Sequence, residues 1–448
     1  MVVSVTFPLW SILPQRQWIR RLNSSRDSEL HHSPAPNGPL DGLVVLDLSR
    51  ILAGPTCTQL LGDMGAEVIK VEHPTRGDDT RRWGPPFLKG KNGGETSESA
   101  YYLSSNRNKH SIGIDMRSEE GVQILKDLAT KADVVIENFK VGDLARKGLG
   151  YDDLREHNQS LIYCSLTGFG QTGPYAHRAG YDALIQAMGG IMSITGQSEA
   201  EGGQPTKIGV GIADVMCGMY ACNAILAALH HRTKSGEGQH IDISLLDSQV
   251  AWLINQGLSY LTDGKNPERL GNAHPTIVPY ETFPASDKDF MVAVGNDAQY
   301  MRFCQTLGCV ELSTDPRFTT NAERVRNRAE LIPLLRQFTI KHSAEHWAGE
   351  LEAVGVPCGP VNDLEGVFND PQILHRGMKI SLPHAQSQTG QVDLIGNPIK
   401  YSRTPVTYRK APPTLGEDSL SVLSKYLQKS KEEIDDLAAR GVVSLGDS

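Results

Sequence analysis

Short runs of strand length alternate with amphipathic stretches in the first part of the chain. Leu43–Leu48 and Glu67–Glu72 are two such runs, and Thr56–Met64 between them has the spacing of a helix. Glu119–Lys131 is a further amphipathic helix, and Asp133–Asn138 is the next strand. Strands that alternate with helices favour parallel pairing, with helices on both faces of the sheet. The pattern therefore predicts an α/β fold built on a doubly wound, Rossmann-like parallel sheet.

A long apolar helix and two more strands follow. The strands are predicted at Asn158–Leu166 and Gln239–Leu246, and the helix at Asp214–Arg232. Gly218 and Asn223 interrupt the apolar stretch of this helix, which leaves it shorter than a bilayer requires. We therefore expect a helix buried in a protein core and no membrane span.

The sequence changes character near residue 265. A strand at Phe290–Val294, three prolines and three helices predict a smaller α+β domain over residues 265–378, after a large domain at residues 40–260. The prolines are Pro275, Pro279 and Pro284, and the helices span residues 296–307, 329–341 and 343–354. Lys89–Glu98 is predicted to be a polar loop, and Ser430 with Glu433 forms a capping box that predicts the start of a final helix.

Composition narrows the class of protein. Of the 448 residues, 39% are apolar and 21% are charged, which is typical of a globular chain and excludes a disordered one. The 44 basic and 52 acidic residues give a formal charge of −8, which argues against nucleic-acid binding. The seven cysteines are scattered and form no C-x-x-C pair, so we expect reduced thiols and no bound metal.

The amino-terminal stretch has the composition of a targeting sequence. Residues 1–26 contain four arginines and no acidic residue, and the arginines follow the apolar block. This order is typical of a mitochondrial transit peptide rather than a secretory signal. We expect residues 1–39 to form a transit peptide and linker, which places the protein in the mitochondrial matrix. The alternative is a tail with no targeting role.

The turn after the first strand does not match a dinucleotide-binding motif. It contains Gly54 but not the three glycines of G-x-G-x-x-G. The chain also has no Walker A lysine motif and no G-x-S-x-G nucleophile turn. These motifs therefore give no support to a dehydrogenase, a P-loop enzyme or a serine hydrolase.

Three aspartates are candidates for chemistry. Asp182 follows a glycine-rich loop, Asp214 begins the long helix, and Asp247 follows a strand. Each can be a turn or ion-pair residue, and Asp214 can be a helix N-cap. Alternatively, the helix dipole keeps Asp214 ionised in a dry site, where it can attack an activated acyl group. The local sequence does not choose between the cap and the nucleophile.

Basic residues of the first domain form a second group of candidates. A pocket for a polyphosphate needs several cations, although most of these residues are expected to be ordinary surface charges. They are Arg81, Arg82, Arg107, Lys109, Arg117, Arg146 and Arg178.

Several long stretches resemble one protein family. They include LDGLVVLDLSRILAGPTCTQLLGDMGAEVIKVEHPTRGDDTR at 40–81, ADVVIENF at 132–139, PTKIGVGIADVMCGMYACNAILAALHHR at 205–232 and GVPCGPVNDLEGVFNDPQ at 355–372. On these stretches nearly the whole chain after Pro39 resembles the class III CoA-transferase family, the group of formyl-CoA and carnitine CoA-transferases. The resemblance is far more specific than a single short motif.

The resemblance implies acyl-CoA chemistry. In this family an aspartate carboxylate attacks the donor thioester, and CoA is carried as an aspartyl-CoA thioester before it passes to the acceptor acid. The matching residue is Asp214, in the segment Gly211-Ile212-Ala213-Asp214. The resemblance further implies succinyl-CoA as donor, a dicarboxylate such as glutarate as acceptor, and CoA esters as substrates with no permanently bound cofactor.

The resemblance also implies residues that contact CoA. Leu52 and His73 stand where formyl-type enzymes carry a glutamine and an arginine, which favours a larger acceptor than formate or oxalate. A dicarboxylate needs a cation for its distal carboxylate, and the candidates are Arg82, Arg107 and Arg178. The implied CoA contacts are Leu52, Ala53, His73, Arg117, Asn138, Phe139 and Arg146.

The family fold implies two interlocked, ring-like subunits in a homodimer, with residues 390–448 returning to the large domain. Two other functions stay open. Acyl-CoA racemases resemble the same sequence and would use Asp182 as an acid or base, but Tyr181 stands where they carry histidine. The second alternative is an acyl-CoA-binding protein without catalysis.

Overall fold

The structure is a computed structural model and describes residues 38–446. The predicted transit peptide and nearly all of its linker lie outside the described residues, so targeting to mitochondria stays a prediction. Within residues 38–446 the strands are β1 (Val44–Asp47), β2 (Glu67–Glu72), β3 (Phe87–Lys89), β4 (Glu95–Ser99), β5 (Lys109–Ile114), β6 (Val134–Glu137), β7 (Ile162–Thr167), β8 (His240–Ser244), β9 (Tyr280–Pro284), β10 (Asp289–Ala293), β11 (Cys358–Pro360), β12 (Lys379–Pro383), β13 (Gln391–Ile395) and β14 (Val443–Ser444).

Seven strands form the main sheet, in the order β14-β5-β2-β1-β6-β7-β8. Six of them are parallel, and the short strand β14 pairs antiparallel with β5 at one edge, Val443 opposite Ile114. The α/β fold with a large parallel sheet is confirmed. The edge strand corrects the expectation of a wholly parallel sheet, because the end of the chain returns to pair with a strand far away in sequence.

Helices cover both faces of the main sheet. The described residues form α1 (Ala53–Asp63), α2 (Ala100–Leu103), α3 (Glu119–Ala129), α4 (Tyr151–Arg155), α5 (Asp182–Met188), α6 (Ile191–Ile194), α7 (Ile212–Ser235), α8 (Leu245–Ala251), α9 (Ile254–Asp263), α10 (Asp297–Leu307), α11 (Val310–Thr314), α12 (Asn321–Arg326), α13 (Arg328–Thr339), α14 (Ala344–Ala353), α15 (Leu364–Asn369), α16 (Pro371–His375), α17 (Ser419–Leu427) and α18 (Lys431–Ala439). Helices α3, α17 and α18 pack on one face, and α1 and α7 pack on the other.

A second hydrophobic core lies in the later part of the chain. Strands β9, β10 and β11 form a separate antiparallel sheet. Phe283, Phe290 and Phe303 are fully buried there with Trp347 of α14. This core falls within the predicted smaller domain, whose boundaries at 265 and 378 stay predictions.

Two of the short sequence signals predicted the local structure correctly, and a third did not. Strand β2 begins and ends at the predicted residues, and the capping box forms, with Ser430 Oγ accepting from Glu433 N and Glu433 Oε2 accepting from Ser430 N. The loop predicted at Lys89–Glu98 is wrong, because most of it belongs to the β3–β4 hairpin. Its turn is closed by Gly93, which has a φ of 79°.

Helix α7 is the longest helix among the described residues. It is long and apolar enough to cross a membrane, but half of that apolar window is buried inside the protein. Its Gly218 faces α1, where an added Cβ atom would lie 2.4 Å from the carbonyl oxygen of Ala53. The absence of a side chain at Gly218 therefore sets how closely the two helices approach.

We expect Gly218→Ala to destabilise the protein by about 1–3 kcal/mol, because the methyl group must push α7 away from the backbone of α1. Gly349→Ala is the matched control, since Gly349 is also helical but its added Cβ would touch nothing within 4 Å. Gly349→Ala should raise the free energy of unfolding by about 0.5–1 kcal/mol, because alanine favours the helix more than glycine does. Urea and thermal unfolding measure both effects, and equal behaviour of the two variants would contradict the packing argument.

Candidate active site

The loop between β1 and α1 has a strained backbone. Ile51 has a φ of 73°, a left-handed conformation that is unfavourable for a β-branched side chain. Such strain persists only where surrounding groups hold the backbone in place, and it occurs preferentially at functional sites.

Three side chains from outside this loop hold its backbone by hydrogen bonds. Asn138 accepts from Arg50 N at 3.0 Å and donates to Arg50 O at 2.6 Å. The Asp78 carboxylate accepts from Ile51 N at 3.2 Å. Lys70 Nζ donates to Asp78 Oδ2 at 2.9 Å and to the carbonyl oxygen of Ser49 at 3.1 Å. The backbone polar groups along the loop are therefore fixed before any ligand binds.

The loop between β1 and α1 borders two cavities at the carboxyl ends of the parallel strands. The Asp214 cavity has a volume of about 350 Å³ and is lined by Asp214, Ala53 and Asn138, among others. The Arg117 cavity has a volume of about 250 Å³ and is lined by Arg117 and His73, among others. Arg50, Asp79 and Phe139 line both cavities. Crevices at this edge of a parallel sheet are where α/β proteins bind their ligands.

A third cavity lies at the other end of the strands. It measures about 610 Å³ and is lined by Glu67 and His110, near the amino ends of β2 and β5. Its lysines are paired, Lys425 with Glu67 and Lys410 with Asp418. None of the predicted site residues lines this cavity, so the pair of cavities at the carboxyl ends remains the candidate site.

Asp214 is the third residue of α7 and is not its N-cap. The N-cap is Gly211, and the Asp214 carboxylate accepts no hydrogen bond from a residue in the described part of the chain. Burial raises the pKa of Asp214 to about 7, and the nearby Asp182 carboxylate adds to this. The alternative of a helix N-cap is thus corrected. Asp214 lies in the first turn of α7, where the helix dipole favours the ionised form, and burial acts in the opposite direction by raising its pKa.

Asp182 is the first residue of α5 and accepts a hydrogen bond from the first turn of α7. Its Oδ1 accepts from Ala213 N at 2.8 Å, and its Oδ2 accepts from Gln186 Nε2 at 2.7 Å. Gln186 Oε1 in turn accepts from Ile208 N at 2.9 Å. Asp182 therefore positions the residues around Asp214 while both of its own oxygens are occupied.

The segment around Asp182 forms part of the wall of the Asp214 cavity. Two glycines let this segment approach the end of β7. A Cβ atom added at Gly168 would lie 2.5 Å from Gly180 Cα, and one added at Gly180 would lie 2.4 Å from Gly168 Cα. Neither position has room for a side chain unless the wall moves.

The structure brings most of the predicted CoA-contacting residues together. Ala53, Asn138 and Phe139 line the Asp214 cavity, and His73, Arg117 and Phe139 line the Arg117 cavity. Leu52 is the N-cap of α1 and faces Gly211, where an added Cβ would lie 3.0 Å from Leu52 Cδ2.

Arg146 is not brought to either cavity. Its guanidinium is exposed and pairs with Asp143. The neighbouring Lys147 lines the Arg117 cavity instead, with its Nζ donating to Met116 O at 3.0 Å. A short 3₁₀ turn at residues 145–147 directs the two adjacent side chains differently, which the sequence alone does not reveal.

Three of the basic candidates are buried in ion pairs. Arg107 binds both oxygens of Asp63, at 2.6 and 2.9 Å, and so is not available to a substrate. Lys109 lies 3.3 Å from a carboxylate oxygen of Asp47. Arg81 is also buried, between Glu72 and Glu98. These ion pairs occupy the charged groups of all three residues, which leaves them unavailable to a polyphosphate.

Four cations that line the cavities were not predicted from the sequence. They are Arg50, Arg76, Lys140 and Lys147. Each lies within three residues of a predicted contact, so proximity in sequence to Leu52, His73, Phe139 or Arg146 is the signal that could have found them.

A family model for CoA-transferase family III matches residues 40–419. The chain belongs to CoA-transferase family III. It is 48% identical to succinate–glutarate CoA-transferase of Agrobacterium fabrum, over 88% of this chain and 96% of that protein. It is 43% identical to human succinyl-CoA:glutarate CoA-transferase, over 90% of each chain.

A solved structure also resembles this member of CoA-transferase family III. The crystal structure of a CAIB/BAIF family protein from Brucella suis superposes with a TM-score of 0.78, at 47% sequence identity. The match covers 87% of this chain and all of that one. The family assignment and the two transferase relatives together identify the protein as a CoA-transferase. They argue against the alternative of an acyl-CoA-binding protein without catalysis.

We expect Asp214→Asn to raise the free energy of unfolding at pH 8 by about 2 kcal/mol, because it removes a partly buried charge that accepts no hydrogen bond within residues 38–446. The folded-state pKa is about 7, above the ordinary 3.8. The cost of the charge is thus fully present above pH 7 and disappears below about pH 4, where both states are protonated. The gain in Asp214→Asn should shrink by more than half between pH 8 and pH 5.

Asp247→Asn is the control for this measurement. Asp247 is likewise the third residue of its helix, α8, but it is exposed. Denaturant unfolding at pH 8 and pH 5 should show no increase in the free energy of unfolding of Asp247→Asn. A pH-independent gain in Asp214→Asn, or an equal one in both variants, would contradict the burial argument.

Proposed function

We propose that the protein transfers CoA from succinyl-CoA to glutarate or a similar dicarboxylate, through an aspartyl-CoA thioester on Asp214. One observation carries the proposal. Asp214 is a partly buried carboxylate without a hydrogen-bond donor among the described residues, and it lines a cavity that adjoins a second one rich in cations. The two transferases at 43% and 48% identity, whose names specify succinate or succinyl-CoA and glutarate, support the choice of substrates.

The reaction has two symmetrical halves. An Asp214 oxygen attacks the acyl carbon of the donor, the C–S bond breaks, and a mixed anhydride and CoA thiolate form. The thiolate attacks the aspartyl carbonyl carbon and displaces succinate, which leaves the aspartyl-CoA thioester. The acceptor carboxylate then attacks this thioester and expels the CoA thiolate, which leaves a new mixed anhydride. The thiolate attacks the acceptor's acyl carbon, forms the acceptor's CoA ester and releases the Asp214 carboxylate. The raised pKa suits this role, because a more basic carboxylate is a stronger nucleophile once it is ionised.

The two cavities suggest how a CoA ester lies. Cations of the Arg117 cavity face the nucleotide phosphates, and the thioester reaches Asp214 past Phe139, which lines both cavities. The N–H groups at the start of α1 have no intrahelical partner, and Ala53 lines the Asp214 cavity. In this proposal they stabilise the oxyanion that forms at the acyl carbon.

The racemase alternative has less support. It needs Asp182 free to move an α-proton, whereas both oxygens of Asp182 accept hydrogen bonds from Ala213 and Gln186. Deuterium entering the α-carbon of the acyl group in heavy water would favour the racemase.

We also propose that two copies assemble as an interlocked homodimer. A run of large apolar side chains on α8, α9 and the turn between them is exposed, which is unusual for a surface without a partner. The most exposed are Val250, Ile254, Leu258 and Leu261, at 51%, 69%, 60% and 78%. A second copy of the chain is the partner that the family resemblance supports.

We expect Asp214→Asn to form no CoA adduct and to lose transfer activity, because the amide cannot attack the thioester. The wild-type protein mixed with succinyl-CoA should gain the mass of CoA on the peptide that contains Asp214, and glutarate should remove it. Intact-mass and peptide spectrometry measure both. Asp247→Asn should react like the wild type. Transfer by Asp214→Asn, or an adduct on another residue, would overturn the assignment.

We expect wild-type protein in solution to have twice the 48.9 kDa mass of the chain. The double variant Leu258→Glu, Leu261→Glu should be monomeric, because it places charges in an apolar interface. Light scattering after size exclusion measures the mass. Ile340→Glu is the control, since Ile340 is 52% exposed but lies outside this surface. A dimer that survives the double substitution would show that α9 is not the interface.

A further inference from the structure

The Asp214 cavity contains three cations, and they differ in what holds them. Arg50 pairs with Asp79 at 3.2 Å. Lys140 is an exposed ammonium on a flexible stem. Arg178 has no carboxylate within ion-pair distance among residues 38–446, and its one polar contact there is Met188 Sδ at 4.0 Å.

Two aromatic rings hold the guanidinium of Arg178. Its Cζ lies 5.1 Å from the centroid of the Phe169 ring and 4.7 Å from that of Tyr175. The two rings pack edge to face, 5.7 Å apart. Stacking on rings fixes the plane of a guanidinium while its N–H edges remain open to an acceptor. Arg178 is thus an oriented cation, without a carboxylate counter-ion among residues 38–446, in the cavity that contains Asp214.

We propose that Arg178 binds the distal carboxylate of the dicarboxylic acyl group and so selects dicarboxylates over monocarboxylates. This inference rests on the proposed function, in which Asp214 reacts at the other end of the same acyl chain. The planar N–H fork of arginine matches a carboxylate, which it can bind with two parallel hydrogen bonds. The other two candidates fit less well, because Arg107 binds Asp63, and Arg82 pairs with Asp79 and does not itself line this cavity.

The consequence is a difference between substrates rather than a general loss of activity. Succinyl-CoA and butyryl-CoA have acyl groups of the same carbon count, but only the first ends in a carboxylate. Removing the fork should slow the reaction of succinyl-CoA by about 10- to 100-fold, which corresponds to the loss of a hydrogen-bonded charge pair. The reaction of butyryl-CoA does not use Arg178 and should keep its rate.

The test is the rate of CoA-adduct formation by the full-length enzyme with each of these two donors. Arg178→Gln should lose the preference for succinyl-CoA and keep the butyryl-CoA rate. Arg178→Lys should lose less of the preference for succinyl-CoA, because lysine keeps the positive charge but lacks the planar N–H fork of arginine. Butyryl-CoA is also measured as a competitive inhibitor, so that a slow donor still yields a binding constant.

Arg155→Gln is the matched control. Arg155 also stacks on a tyrosine, with its Cζ 5.9 Å from the centroid of Tyr151, but it lines neither cavity. Its donor preference should equal that of the wild type. Equal losses for both donors in Arg178→Gln, or no loss for either, would overturn the role of Arg178. A wild-type enzyme that forms no adduct with any donor would instead overturn the proposed function itself.

Discussion

Two fully buried lysines, Lys70 of β2 and Lys109 of β5, contact the carboxyl end of β1 and the loop that follows it. Lys70 joins Asp78 to the carbonyl oxygen of Ser49, and Lys109 lies against Asp47 at the end of β1. Burial lowers the pKa of Lys109 to about 8 despite the nearby Asp47, whereas the surrounding carboxylates outweigh burial and raise the pKa of Lys70. Burying these charges costs free energy, and their hydrogen bonds to Ser49 O and Pro55 O restrain the backbone at the two ends of the β1–α1 loop.

The position of Asp214 follows from that loop through backbone contacts. Helix α1 begins where the loop ends, and Gly218 lets α7 approach α1 so closely that the two helices have little room to shift. Asp182 then fixes the first turn of α7 by accepting from Ala213 N. The strained Ile51 backbone and the partly desolvated Asp214 carboxylate are both locally unfavourable, and the same framework of contacts maintains both.

Much of the fold was predictable because its signals are local. The apolar run of β1, the amphipathic pattern of α3 and the capping box of α18 each involve residues close in sequence. The rest depends on partners far apart in sequence. Nothing near Arg107 or Arg81 distinguishes them from surface cations, because their carboxylates are contributed by other elements. Similarly, β14 is recognisable only from its pairing with β5.

The same distinction applies to the candidate site. The family resemblance singled out Ala53, Phe139 and Asp214, which lie together, but a pattern of residue types does not give side-chain direction. Lys147 rather than Arg146 therefore lines the Arg117 cavity. That no carboxylate of the described residues pairs with Arg178 is likewise visible only in the folded chain.

The paired glycines at 168 and 180 have a consequence for how this protein can evolve. Because neither position has room for a side chain, the backbone of this wall is hardly open to change by substitution. Neighbouring positions whose side chains point into the cavity carry no such restriction. New acceptor preferences are therefore expected to arise through side-chain exchanges on an invariant wall, in single mutational steps that leave the geometry around the reacting carboxylate unaltered.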